Sequence, residues 1–240
     1  MKHIYQYSII LLLLSACQGT NEEGAGLVQH YGVLREIMME LKLEANVDLA
    51  DLSTNKNLYA LGALEGLSGE LMILDGKAYK TSIDEQGEKV TEHNLAGGAS
   101  LLVAAQVAEW QEVPIGKAIE NLGELEAEIK ALAKQKGLDV NRPFPFMLTG
   151  MVTYLKSHVI NAPGASERSH EAFKQSGVIS EVREEESTIL GFYSEQHRAV
   201  FTHHNSFMHA HVLTGAQPNV GHVDELKIEP GIILKLPKTW

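Results

Sequence analysis

The chain of 240 residues is 44% hydrophobic and 21% charged, enough apolar matter to fill one domain core or two fused lobes and too much for a disordered polymer. A formal net charge of −11, with lysines and arginines scattered along the sequence, argues against a nucleic-acid partner, because phosphate binding needs basic patches. The 11 histidines gather mostly in the second half, a skew that points to metal or proton chemistry.

The chain opens with Lys2 and His3, a weakly positive start. Residues 9–14 are then a short apolar stretch, too short to span a bilayer as a stable helix. Leu14-Ser15-Ala16-Cys17 follows and resembles the lipobox of bacterial lipoproteins. That resemblance implies a signal peptide over residues 1–16, lipidation of Cys17 and a polar tether over residues 17–26. The protein would then sit on the periplasmic or cell-surface side, held to the membrane by its lipid anchor alone. Cys17 is the single cysteine, so an intrachain disulfide and a cysteine-based zinc site are both excluded.

Residues 27–240 are read as one α/β or α+β domain. Leu27, Tyr31, Leu34, Ile37 and Leu41 recur at three- and four-residue steps, which predicts a helix over residues 27–43. Residues 48–52 form a second short helical turn. Leu71-Met72-Ile73-Leu74, then Asp75-Gly76, then Lys77-Ala78-Tyr79 predicts a β-hairpin, since Asp-Gly supplies the positive φ of a tight turn. Residues 101–109 are ambiguous between strand and helix. Leu122, Leu125, Ile129 and Leu132 line one face of a helix over residues 119–136, stopped by Gly137. Strands are predicted at residues 144–160, 187–194, 207–213 and 221–228, with a solvated turn at Glu184-Glu185-Glu186. Trp110 and Trp240 are read as packing residues. The expected architecture is a mixed-sheet N-terminal lobe fused to an antiparallel C-terminal lobe that carries the functional site.

Phe207-Met208-His209-Ala210-His211-Val212-Leu213 is the segment with the strongest chemical signal. On a strand His209 and His211 point the same way, so their imidazoles can converge on one ion. Gly215, Pro218, Asn219 and Gly221 make a turn, and His222 returns on the neighbouring strand. Three neutral imidazoles on one sheet face make a common catalytic zinc set, and iron, copper, nickel or manganese also fit these ligand types. His203 and His204 precede the triad, and one of them is a candidate to orient a ligand from behind or to act as an acid.

Several segments, in the same order from Leu27 to Leu236, resemble the bacterial α-acetolactate decarboxylase family. Leu67-Ser68-Gly69-Glu70-Leu71-Met72-Ile73-Leu74-Asp75-Gly76-Lys77-Ala78-Tyr79 is similar to its LDGE…DGxxY segment. Leu190-Gly191-Phe192 is similar to its VGF segment. His209 and His211, the ten-residue interval and Gly221-His222-Val223 match its metal triad and GHV segment. The resemblance implies a zinc-dependent lyase that takes the hydroxy-keto acid 2-acetolactate to acetoin and carbon dioxide, and a homodimer. No organic cofactor is then needed, because a divalent metal chelated by the substrate's hydroxyl and carbonyl oxygens stabilises the enediolate left by decarboxylation. It also implies that Glu70 is a further ligand or an acid–base group beside the metal.

The sequence departs from the family at three places. The arginine of the family's G-x-F-x-x-V-x-x-R strand, expected to grip the substrate carboxylate, falls on His158, which lacks the bidentate fork and the permanent charge. The threonine of its GTF segment falls on Ala63. Its C-terminal glutamate has no counterpart, since no acid follows Glu229. These departures leave room for a related metalloenzyme acting on another hydroxy-keto compound, or for a non-catalytic metal- or ligand-binding lipoprotein.

Overall fold

A computed structural model describes residues 27–215 and 218–240. The expected signal peptide and tether, with Cys17, fall outside the described residues. Two antiparallel sheets lie side by side, with few helices.

The first sheet is built from β1 (Val28–Tyr31), β2 (Val47–Asp48), β3 (Leu58–Leu64), β4 (Gly69–Leu74), β5 (Lys77–Ile83), β6 (Lys89–Glu92) and β7 (Gly98–Gln106). Its order is β1-β7-β3-β4-β5-β6, and β2 also pairs with β7. The sheet was expected to be mixed, but every pairing among its described strands is antiparallel. Short connections explain this for β3 to β6, because parallel neighbours need a crossover of about a dozen residues. The β4–β5 turn is the predicted Asp75-Gly76 pair, with φ values of 49° and 78°, as a type I′ hairpin requires.

Alternate residues of β3 leave the sheet on opposite faces. Leu58 and Ala60 pack with Leu49, Leu52, Leu71 and Leu102 on one side. Tyr59 and Leu61 pack on the other with Met72 and Val103, and with Leu190, Phe192, Phe201 and Val220 from the second lobe. A sheet buried on both faces explains why the segment read as ambiguous at residues 101–109 shows no polar alternation: residues 101–106 of it belong to β7.

The helix expected over residues 27–43 is shorter. Residues 28–31 form edge strand β1 on β7, and only α1 (Leu34–Glu40) is helical. Gly32 separates the two with a φ of 79°, and a Cβ there would lie 2.2 Å from the Ser100 carbonyl oxygen. Neither the conformation nor the space suits a helical residue.

The second sheet contains β8 (Trp110–Pro114), β9 (Phe144–Val159), β10 (Val178–Tyr193), β11 (Met208–Thr214), β12 (Asn219–Lys227) and β13 (Ile233–Pro237). Its order is β10-β11-β12-β9-β13-β8, and a direct β9–β10 pairing closes β9, β10, β11 and β12 into a ring. Helix α2 (Leu122–Gln135) lays Leu125, Ile129 and Ala133 against the core that Phe144, Phe146, Leu148 and Val212 share. Asn121 accepts the Glu124 amide at 3.0 Å, and the Glu124 carboxylate accepts the Glu120 amide at 3.0 Å, so the helix starts with reciprocal capping. Glu184-Glu185-Glu186, predicted as a turn, lies inside β10. Its pairing with β9 holds on both sides of Glu184, which takes a φ of 50°. The sequence carries the marks of a turn because the strand deforms there without ending. A short helix, α3 (His170–Ser176), precedes β10.

A chain of hydrogen bonds ties the lobes together. The Val220 amide donates to Thr81 Oγ1 at 2.8 Å, Thr81 and Thr91 hydroxyls meet at 2.8 Å, and Thr91 donates to Asn219 Oδ1 at 2.9 Å. The start of β12, two residues before His222, is thus fixed against the first sheet.

Candidate metal centre

Strand geometry assembles the centre. His209 and His211 are two residues apart on β11 and share a face. His222 on β12 stands directly opposite His211, and His158 on β9 directly opposite His222. His211, His222 and His158 therefore form one row across three adjacent strands. Ring centroids are 5.0 Å apart for His209–His211 and His209–His222, 5.5 Å for His211–His222 and 5.0 Å for His158–His222.

The first sheet supplies the opposing wall. Glu70 on β4 brings Oε2 to 3.4 Å from His211 Nε2, and its Oε1 accepts the Ile160 amide at 3.2 Å. His211 Nδ1 donates to the Leu71 carbonyl at 2.9 Å, which fixes its tautomer and leaves Nε2 as the lone-pair nitrogen.

Burial sets the charge states. His209, His211, His222 and Glu70 are all buried. Desolvation, with neighbouring imidazoles adding to it, holds His209 and His222 well below the usual histidine range. Desolvation lowers His211 to about 3, against the opposing effect of its bond to Leu71. The same desolvation raises Glu70 to about 7. The three imidazoles are neutral and carry available lone pairs near neutral pH.

Ligand nitrogens of His209, His211 and His222 all lie within 4.8 Å of one another. His209 Nδ1 and His211 Nε2 are buried without a hydrogen-bond partner. Buried polar atoms are almost always satisfied, so two orphaned nitrogens at the centre of an imidazole cluster fit a divalent metal of borderline softness.

A cavity of about 70 Å³ opens onto this cluster. Its polar wall is Glu70, His158, His203, His209 and His222, and its apolar wall includes Leu34, Ile37, Leu67, Leu101 and Ile160. Ala63, opposite Glu70 on β3, also lines it. A wider cleft of about 690 Å³ shares Leu34, Met38, His158, Ile160, His203 and His222 with it and leads outward past Arg35 and Asp224.

Two residues stand closer than spacing alone suggests. Asp224 holds His158 Nδ1 between its carboxylate oxygens, both at 2.9 Å. It follows His222 by two residues, at the β-bulge where the β9–β12 register shifts between Val223 and Glu225, a placement that strand alternation alone does not give. His203 reaches the cluster, with Nε2 at 2.9 Å from His222 Nε2, whereas His204 lines only the outer cleft. Trp110 packs edge-on against Tyr59, and Trp240 donates to the Pro143 carbonyl at 2.8 Å, so both serve packing as expected.

The model of a family described as alpha-acetolactate decarboxylase matches residues 28–235. The fold is also that of solved structures. Alpha-acetolactate decarboxylase from Bacillus subtilis strain 168 superposes with a TM-score of 0.69 at 13% identity, covering 87% of this chain and 85% of that one. The enzyme from Bacillus subtilis subspecies spizizenii gives 0.69 at 16% identity, covering 89% and 86%. A Staphylococcus aureus protein of unknown function, described as similar to alpha-acetolactate decarboxylase, gives 0.65 at 17% identity, covering 87% and 84%. No curated protein matches the chain.

Proposed function

Because this chain belongs to the alpha-acetolactate decarboxylase family, we propose that it is a metal-dependent carboxy-lyase converting 2-acetolactate to acetoin and carbon dioxide. The observation that carries the reading is one small cavity lined by Glu70, His158, His203, His209 and His222, against a cluster of three ligand-competent histidines that the buried His211 completes.

His209, His211 and His222 would hold the ion, zinc or another divalent metal suited to imidazole. The chemistry such an ion supplies is Lewis acidity toward a chelating hydroxy-keto group. Glu70 is the acid–base residue in this proposal. Burial raises its metal-free carboxyl to about 7, and beside a bound ion it would be the group that takes up or hands on a proton at the cavity wall. Its hydrogen bond from the Ile160 amide keeps the carboxyl directed at the cavity. His158, oriented by Asp224, presents a polar ring where the family resemblance implies a carboxylate-binding arginine. Leu34, Ile37, Leu67 and Leu101 exclude bulk water from the reacting atoms.

One observation favours a second reading. No lysine or arginine lines the inner cavity among the described residues, and Arg35 stands only on the outer cleft. That wall suits a hydroxy-keto compound with less charge than acetolactate. A non-catalytic binding role draws on the apolar wall of the cavity, whereas Glu70, His158 and His203, which line it beside the cluster, favour an enzyme. Export as a lipoprotein anchored through Cys17, and homodimer formation, belong to the same proposal. Among the described residues no helix is long and apolar enough to cross a membrane.

The test is acetoin release from racemic acetolactate by the purified zinc-loaded protein, with His209→Ala as control. Release above the spontaneous rate, lost in the variant, supports the assignment. A metal-loaded protein that releases none refutes it, and activity on an uncharged hydroxy ketone would then point to the second reading.

A further inference from the structure

We infer that His203 is a fourth imidazole ligand of the metal, completing a four-nitrogen set with His209, His211 and His222. The inference rests on the three-histidine site proposed above and adds a residue from outside the two strands that build it.

The geometry is specific. His203 Nε2 lies 2.9 Å from His222 Nε2. Two imidazole nitrogens each about 2.1 Å from one ion are separated by about 3.0 Å at a right angle and about 3.4 Å at a tetrahedral one, so the His203–His222 pair would need to open by at most about half an ångström. The His203 ring stands 4.9 Å from His222, as close as the triad rings stand to one another at 5.0–5.5 Å, and 6.0 Å from His209, half an ångström beyond that range. A hydrogen bond from His203 would consume the Nε2 lone pair of His222, whereas a shared ion uses both lone pairs.

The segment holding His203 is anchored for such a role. Thr202 is fully buried, and its hydroxyl donates to the His197 carbonyl at 3.2 Å. On the other side, Glu126 of α2 accepts the Ser206 hydroxyl at 2.7 Å and the Phe207 amide at 2.6 Å. The turn between them carries His203 to the cavity wall, where it borders both the inner cavity and the outer cleft. Four neutral nitrogens select zinc, copper, nickel or cobalt over magnesium and calcium.

The test reads the metal and leaves turnover aside. X-ray absorption on the zinc-loaded full chain should count four imidazoles. In competition with a chelating dye, His203→Ala should weaken zinc binding by at least roughly the 10–100-fold that losing even an outer-shell partner costs. His203→Cys loaded with cobalt should show a thiolate-to-metal charge-transfer band that is absent from the parent chain, which already contains Cys17. Three imidazoles in the parent protein, unchanged or tighter zinc binding by His203→Ala, or no charge-transfer band would each overturn the inference. Should a variant not fold, the imidazole count on the parent protein decides alone. A four-imidazole protein that releases no acetoin would leave this inference standing and remove the decarboxylase reading; a three-imidazole protein that does release it would do the reverse.

Discussion

Replacing Glu70 with glutamine should make the metal-free protein more stable, by an amount that grows with pH. Glu70 is 4% exposed, and burial raises its carboxyl from the ordinary 4.5 to about 7. A raised folded-state value means that the native protein holds this proton more tightly than the unfolded chain does. Below about pH 4.5 both states are protonated and the group costs nothing. Between pH 4.5 and 7 the unfolded chain gives up the proton first, so native stability falls. Above pH 7 the loss is complete, at about 3 kcal/mol from the separation of the two values. Glutamine cannot ionise, and its side-chain oxygen can still accept the Ile160 amide. Glu70→Gln should therefore match the parent near pH 4.5 and exceed it by about 3 kcal/mol at pH 8. Urea denaturation of the two chelator-treated proteins across this range is the assay. The histidines contribute equally to both chains and cancel in the difference. A flat difference, or a less stable variant at pH 8, would refute the burial argument. The same variant, loaded with metal, should lose acetoin release if Glu70 handles the proton.

Two further substitutions test other parts of the structure. His158→Arg adds a permanent guanidinium to the inner cavity beside Asp224, and should raise kcat/KM on acetolactate through a lower KM; steady-state kinetics at equal metal content would show no gain if the carboxylate binds elsewhere. Thr81→Val leaves the buried Val220 amide without an acceptor and should cost about 1–3 kcal/mol in urea denaturation, and a change below half a kcal/mol would show that the lobes are held by apolar packing alone.

Where the sequence is legible, a local rule is at work. Asp75-Gly76 marks its hairpin because two consecutive positive φ angles have few other solutions. Helix α2 is visible from its 3.6-residue stripe and the Gly137 that stops it. His209 and His211 are paired by the two-residue period of a strand, and His222 by the return of the chain. The failures occur where two rules overlap. Leu27 and Tyr31, at the two ends of the β1 segment, and Leu34, Ile37 and Leu41, on and just after α1, fall at three- and four-residue steps by chance, so a strand and a helix read as one helix until Gly32 is seen against the Ser100 carbonyl. β7 is buried on both faces and shows no alternation. Glu70 could not be placed by spacing at all. It meets Ile160, 90 residues away, and His211 only because the lobes dock, and its role came from resemblance. His203 has no period to announce it, since it sits on a turn whose position depends on Glu126 of α2.

The same desolvation explains why the centre is both uncharged and receptive. Burial lowers the histidines and raises Glu70, so near neutral pH a group of opposite ionisable residues sits together largely without charge. That condition is costly. Two imidazole nitrogens lack partners, and the carboxyl has only one amide and a nitrogen at 3.4 Å. A proton cannot relieve it, because charging any one imidazole worsens its interaction with the others. A divalent ion can, since it accepts the lone pairs without protonating the rings and favours the ionised form of Glu70 at the same time. Metal loading should therefore remove the pH-dependent penalty described for Glu70. The difference between parent and Glu70→Gln would then shrink or reverse in the zinc-loaded protein. A difference that stays at its metal-free value after loading would place the ion away from Glu70, and would break the link between the histidine cluster and the acid that this centre depends on.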